Sequence, residues 1–156
     1  MDPLRKDLPR ILEGLHTIIV GTRDENLIPA CTLAAALAAD EEGRVTVYVS
    51  EASGQAIAAN VRANGAVAVV AEYIATHRTV QVKGTCVEIR AAREDERAFI
   101  EGNQERFFED VALIGAPAHV RRRRRWPCHA ITFQAAEIFE QTPGPRAGLP
   151  FEPSPS

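Results

Sequence analysis

Residues Thr76–Gly84 read "THRTVQVKG", set between the apolar run "AVAVVA" (residues 66–71) and the mixed run "TCVEIR" (residues 85–90). A β-strand sends successive side chains to opposite faces. Val80 and Val82 therefore share one face, and Thr79, Gln81 and Lys83 share the other. Beyond Gly84 the apolar set becomes Val87 and Ile89, which are odd-numbered. A one-residue change of phase at a glycine marks a β-bulge or a barrel corner. The stretch thus predicts a bent strand with its valines inside a barrel and a hydroxyl, an amide and an ammonium outside. An antiparallel sheet commonly keeps one wet face, so that polar face requires no ligand by itself.

Working outward, "HTIIVGT" (residues 16–22) reads as a β-branched strand and "RDEN" (residues 23–26) as a turn. "LIPACTLAAALAAD" (residues 27–40) has the alanines of a helix, but Pro29, the following turn "DEEGR" and the strand "VTVYV" make one strand of a hairpin more economical. In that next strand Val45, Val47 and Val49 share a face. Ser53 is placed to cap a helix over Ala56–Arg62, with Asn64-Gly65 as its stop. From Arg93 the period changes: Ile100, Phe107, Phe108 and Val111 form one helical stripe, broken by Gly115, Ala116 and Pro117. A second short helix is expected to carry the arginine run, and "HAITFQAAEIFE" (residues 129–140) is a closing strand. The inventory is six strands with helices between and beside them. Short strands without regular helical crossovers argue for a mainly β (α+β) fold, a small antiparallel barrel with peripheral helices.

The chain of 156 residues is expected to form one domain over residues 1–142, followed by a Pro/Gly-rich tail (residues 143–156) that packs little. A net charge of −3 gives no global reason to expect a nucleic-acid partner. No charged-then-apolar leader and no membrane-length apolar run is seen, so a cytoplasmic location is the default expectation. Cys31, Cys86 and Cys128 are odd in number and lack zinc-ligand spacing, which argues for packed thiols rather than disulfides or a metal. Arg121–Arg125 point all round a helix and have acidic neighbours in sequence, which favours solvated or ion-paired arginines. His77 adjoins the opening strand, while His16, His119 and His129 show no pairing that suggests a site.

From about residue 10 to 145 the order of features resembles the pyridoxamine 5′-phosphate oxidase-like, FMN-binding split-barrel family. The carriers are "IPACTLAAAL", "VTVYVSEASGQAIAANVRANGAVAVV", "HRTVQVKG" and "WPCHAITFQAAEIFEQTPGP", in that order. The resemblance implies a six-stranded split barrel forming a homodimer, with FMN at the subunit interface. It implies a cofactor contact from Thr79, preceded by Arg78, and from Thr32, Leu33 and Ala34 within the segment ending at Leu37. It also implies Phe139 near the ring. Gln81 and Lys83 lie on the same strand face as Thr79. Ala56 and Ile57 stand where classical members carry a phosphate-holding arginine–lysine pair, and Thr32 stands for a family arginine. Ser50, Ser53, Gln55 and the helix N-terminus could hold a phosphate instead, with Arg78 or Lys83 adding charge.

Two classes of function follow. One is an FMN-dependent oxidoreductase acting on an unidentified small molecule, with the redox chemistry belonging to the flavin. The other is a non-catalytic protein that binds flavin, deazaflavin or haem. A barrel that has lost its cofactor and serves as a dimeric interaction module is a third, since fold alone does not decide function.

Overall fold

The structure, a computed structural model, describes residues 3–117 and 125–152. Two short helices open it, α1 (Pro3–Lys6) and α2 (Leu8–Ile11), although the stretch "MDPLRKDLPRILEGLH" (residues 1–16) reads in sequence as one short amphipathic helix. Pro9 has no N–H to give the carbonyl four residues back, so the first helix cannot run through it, and a new one starts with Pro9 in its first turn. Leu8 and Ile11 nevertheless bury against the barrel.

Seven strands follow: β1 (Thr17–Arg23), β2 (Pro29–Leu33), β3 (Ala36–Ala39), β4 (Arg44–Ser50), β5 (Ala66–Tyr73), β6 (Arg78–Ala91) and β7 (Cys128–Glu140). Helix α3 (Gln55–Asn64) joins β4 to β5, and a 3₁₀ turn (Glu94–Glu96) with helix α4 (Arg97–Leu113) follows β6. All pairings are antiparallel, in the order β2-β1-β5-β6-β7-β4-β3. The two edges of this sheet, β2 and β3, are consecutive in the chain. The sheet therefore curls until a single run of chain serves both edges, which makes a split barrel.

That run is the expected single strand over residues 27–40, and its division raises the strand count from six to seven. The break is at Ala34-Ala35. Ala34 donates its N–H to Ile18 O at 2.8 Å, still on the β1 side, while Ala35 donates to Tyr48 O at 2.7 Å, already on the β4 side. Their carbonyls accept from side chains, Ala34 O from the Arg125 guanidinium and Ala35 O from Asn103 Nδ2 at 2.9 Å. Every backbone group of the switch is thus satisfied, as buried chain requires.

Inside lie Val20, Val45, Val47, Val49, Val69, Val80, Val82, Ile131 and Phe133, each at most 1% exposed. Burying one such valine contributes roughly 1.5–3 kcal/mol, so slipping β6 by one residue would expose several kcal/mol of apolar surface. The predicted phase change at Gly84 is present as a register shift between Lys83 and Gly84. A Cβ at Gly84 would stand 2.0 Å from the Gln134 carbonyl oxygen, so the close approach of β7 requires glycine there. A second shift between Cys86 and Glu88 was not anticipated. It turns Val87 outward, 59% exposed, while Cys86 and Ile89 pack on the core.

Helix α4 buries the expected stripe of Ile100, Phe107, Phe108 and Val111. Helix α3 is capped by Gly54 rather than Ser53, without a side-chain cap, and stops at Gly65 in the left-handed conformation (φ 73°). Gly54 is required because a Cβ there would lie 2.6 Å from Val49 Cγ1. The tail also departs from expectation. It turns back on β7, with Phe151 N–H bonding Ile138 O at 2.9 Å, Pro150 bridging Phe139, and the Phe151 ring packing on the core. The short helix expected to carry the arginine run falls largely on residues 118–124, and these, His119 among them, lie outside the described residues.

Candidate functional site

Register places the outward side chains in rows. Leu33, Ile19, Val70, Gln81 and Phe139 lie side by side across β2, β1, β5, β6 and β7. The next row is Cys31, Gly21, Ala68, Lys83 and Glu137. Small residues at Gly21, Ala68, Gly84 and Ala136 leave a trough of about 580 Å³, bordered by Arg23, Cys31, Lys83 and Glu137. Beside it Ile19 and Leu33 are 42% and 40% exposed, a bare apolar strip on a sheet face. A flat floor of small residues beside apolar and cationic groups suits a planar ligand.

Lys83 lies over the Phe139 ring, 4.8 Å from ammonium to centroid. No carboxylate among the described residues stands within 4.0 Å of that ammonium, so its charge remains available. Gln81 Oε1 accepts from Gln141 Nε2 at 3.3 Å. Thr79 is buried; its N–H bonds Thr142 Oγ1 at 3.0 Å and its hydroxyl donates to His77 O at 2.7 Å. Arg78 is engaged too, its guanidinium donating to Ile11 O at 2.8 Å at the end of α2. His77 pairs with Glu72 at 2.7 Å across the β5–β6 hairpin.

The remaining expected contacts sit elsewhere. Thr32 pairs with Val20 in an inward row, whereas Leu33 faces out and Ala34 begins the strand switch. Ser50 is opposite Cys128 at the start of β7, while Phe139 is near its end. Eleven residues of strand separate those two points, on the order of 30 Å. Ser50, Ser53 and Gln55 are therefore not brought to Gln81, Lys83 and Phe139 within one chain. At the α3 N-terminus Ala56 is exposed, and Ile57, 1% exposed, belongs to the core and offers nothing to a phosphate.

The opposite outer half is sealed. Over β3, β4 and β7 lies α4, with Tyr48, Ile100, Cys128 and Ala130 packed together. Glu96 ties this cover down: Arg90 donates to both its oxygens at 2.7 and 2.8 Å, Tyr48 OH at 2.9 Å and Arg93 N–H at 2.7 Å. The Arg90 hydrogen bonds hold the Glu96 carboxyl down at about 2. Burial, reinforced by Glu96, pushes the Tyr48 hydroxyl up to about 12. Burial likewise pushes the Cys128 thiol up to about 12, which keeps it protonated and inert. Trp126 packs on this cluster with the Arg97 guanidinium 5.3 Å from its ring. Arg125 is half-buried, and desolvation lowers its pKa.

The sequence matches the family described as pyridoxamine 5′-phosphate oxidase over residues 4–141. The chain belongs to that family. Among solved structures it is similar to HupZ from Group A Streptococcus, at 16% identity and a TM-score of 0.53, covering 95% of this chain and 99% of that one. It is similar to an F420 reductase at 17% identity and a TM-score of 0.54, covering 83% and 93% of the two chains. It is also similar to an FMN-binding protein from Syntrophomonas wolfei subsp. wolfei, at 10% identity and a TM-score of 0.51, covering 88% of each chain. At these identities the likeness shows a shared fold. No curated protein matches the chain. Among the described residues no helix is long and apolar enough to cross a membrane, and no group of three or more His, Cys, Asp or Glu could hold a metal.

Two features of these outer surfaces also escaped the sequence reading. The trough floor combines Gly21 and Ala68 of one outward row with Gly84 and Ala136 at the bulge, and that needs the register of four strands. His16 and Asp110 pair at 2.9 Å across 94 positions, a contact with no local signal.

Proposed function

We propose that the chain binds a flavin, FMN or a deazaflavin, on the outer face of β2-β1-β5-β6 and the C-terminal end of β7, and acts as a flavin-dependent oxidoreductase on a small molecule. The observation that carries this reading is the trough of Gly21, Ala68, Gly84 and Ala136, open on a face that the fold otherwise leaves bare. Leu33, Gln81, Lys83 and Phe139 would flank the ring, with Thr79 and Arg78 shaping the strand beside it. A bound flavin would supply the hydride or electron transfer. The chain's part is to hold the ring and to set a positive charge, Lys83, beside it.

The phosphate end would be held by Ser50, Ser53, Gln55 and the uncapped amides of α3. Since one chain separates these from the trough, the reading entails a homodimer in which each protomer supplies one end of two composite sites. Among the described residues the trough lining contains no imidazole, which favours flavin over haem. Buried Ile57 in place of a basic residue keeps deazaflavin beside FMN.

Absorbance of the purified protein after addition of FMN or a deazaflavin tests this directly. Saturable binding, followed by reduction with a nicotinamide donor and turnover of an acceptor, is expected for the enzyme. Binding without turnover would make the chain a carrier, and absence of binding would end the proposal. Arg78→Ala and Thr79→Ala are each expected to weaken FMN binding by distorting the strand.

A further inference from the structure

We infer that a second groove, between the α2–β1 connection and α4, binds a small aromatic carboxylate through Arg106. Its larger lobe, about 740 Å³, lies between Leu12–His16, Leu37–Ala39 of β3, and Phe99, Gly102, Asn103 and Arg106 of α4. Its smaller lobe, about 410 Å³, continues toward Tyr73, Arg78 and Asp110. The lobes share Glu13, Gly14, Leu15, His16 and Arg106. None of these residues lines the outer trough, so the groove stands whether or not that trough holds a flavin.

Three independent features point to a ligand. First, His16 is oriented. Its Nδ1 lies 2.9 Å from Asp110 Oδ2, with side chains only 16% and 11% exposed. A carboxylate accepts, so Nδ1 carries the proton. Nε2 is then an acceptor with no donor among the described residues, on a ring that lines both lobes. Second, Arg106 has no carboxylate partner among the described residues, whereas Arg97 on the same helix pairs with Glu101 at 2.9 Å and Glu94 at 3.4 Å. Third, Gly102 sits inside α4, where glycine costs about 1 kcal/mol relative to alanine. A Cβ at Gly102 would meet nothing within 4 Å. Neither packing nor backbone geometry demands a glycine there, and its effect is to deepen the groove beside Phe99, which is 48% exposed.

The chemistry of the walls selects the ligand. Leu37, Ala38, Ala39 and Phe99 give an apolar bed for a ring. The planar guanidinium of Arg106 matches a carboxylate in a fork. Glu13 is the single acid in the larger lobe among the described residues, and Arg10, which also lines it, is paired with Asp7 at 3.7 Å. The Arg78 guanidinium is occupied by the Ile11 carbonyl, and Glu109 stands only in the smaller lobe. The groove runs along the middle of α4, away from the helix amides that phosphate sites favour, so a carboxylate fits it better than a phosphate.

The test is titration of the purified full chain with benzoate, inorganic phosphate and benzylamine, followed by backbone amide NMR shifts. Benzoate is expected to shift Gly14, His16, Gly102 and Asn103 saturably, and benzylamine to leave them unmoved. Arg106→Gln should weaken benzoate binding about tenfold or more. Gly102→Leu, which fills the groove without touching a charge, should do the same. Absence of saturable shifts, equal binding of benzylamine, preference for phosphate, or undiminished benzoate binding in both folded variants would overturn the assignment.

Discussion

Outside the barrel, the two halves of one sheet are finished in opposite ways. Over β3, β4 and β7 the outward side chains are covered by α4 and locked by Glu96, with Tyr48 5% and Ala130 0% exposed. Over β2, β1, β5 and β6 the outward rows hold Gly21, Ala68, Ile19 and Leu33, with no helix of the described residues laid across them. The inner faces do not differ, since valines line both halves. The contrast teaches that the core does not require the bare half to be bare. Its small residues, exposed apolar residues and one unpaired ammonium are what the proposed flavin site would use. The covered half is where stability should respond to substitution, and the open half is where binding should.

The largest expected effect comes where the two faces meet. Gly84→Ala would put a Cβ 2.0 Å from the Gln134 carbonyl and force the bulge apart, at about 3 kcal/mol in urea unfolding. In the covered half, Glu96→Ala would strip the partners from Arg90 and Tyr48, with an expected loss of about 2 kcal/mol. The same carboxyl gives a pH signature. Its pKa is held at about 2 against an ordinary 4.5, so its contribution is whole above pH 4.5 and is lost as pH falls toward 2. Glu96→Gln should therefore show a shallower fall in stability across that window than the wild-type chain. Smallest of all, Ile19→Ser in the open half should change unfolding free energy by no more than about 0.5 kcal/mol. A large loss there would mean that the bare strip supports the fold after all.

Much of the barrel was readable because period-two alternation is strict. Val80 and Val82 declare their face, and Gly84 declares the bulge at which that face changes. The strand switch at Ala34-Ala35 was not readable, since a run of alanines carries no pattern to divide it. Val87 misled because a β-branched residue outside looks the same in sequence as one inside, until the second bulge at Cys86/Glu88 is known. The tail was judged by its prolines and glycines, yet one aromatic, Phe151, reaches the core and pins it. For the candidate site, Lys83 and Phe139 came from the strand reading and the family order. The trough needed register, because four small residues from four strands become one floor only when the strands are aligned.

The central claim is that this open floor is the flavin face, and one titration tests it most directly. FMN is added to the wild-type chain and to Ala68→Phe, a change that fills the trough while circular dichroism verifies the fold. The account predicts saturable binding by the wild-type chain, and binding weakened at least about tenfold in a folded Ala68→Phe variant. Equal FMN affinity in the two proteins would contradict it.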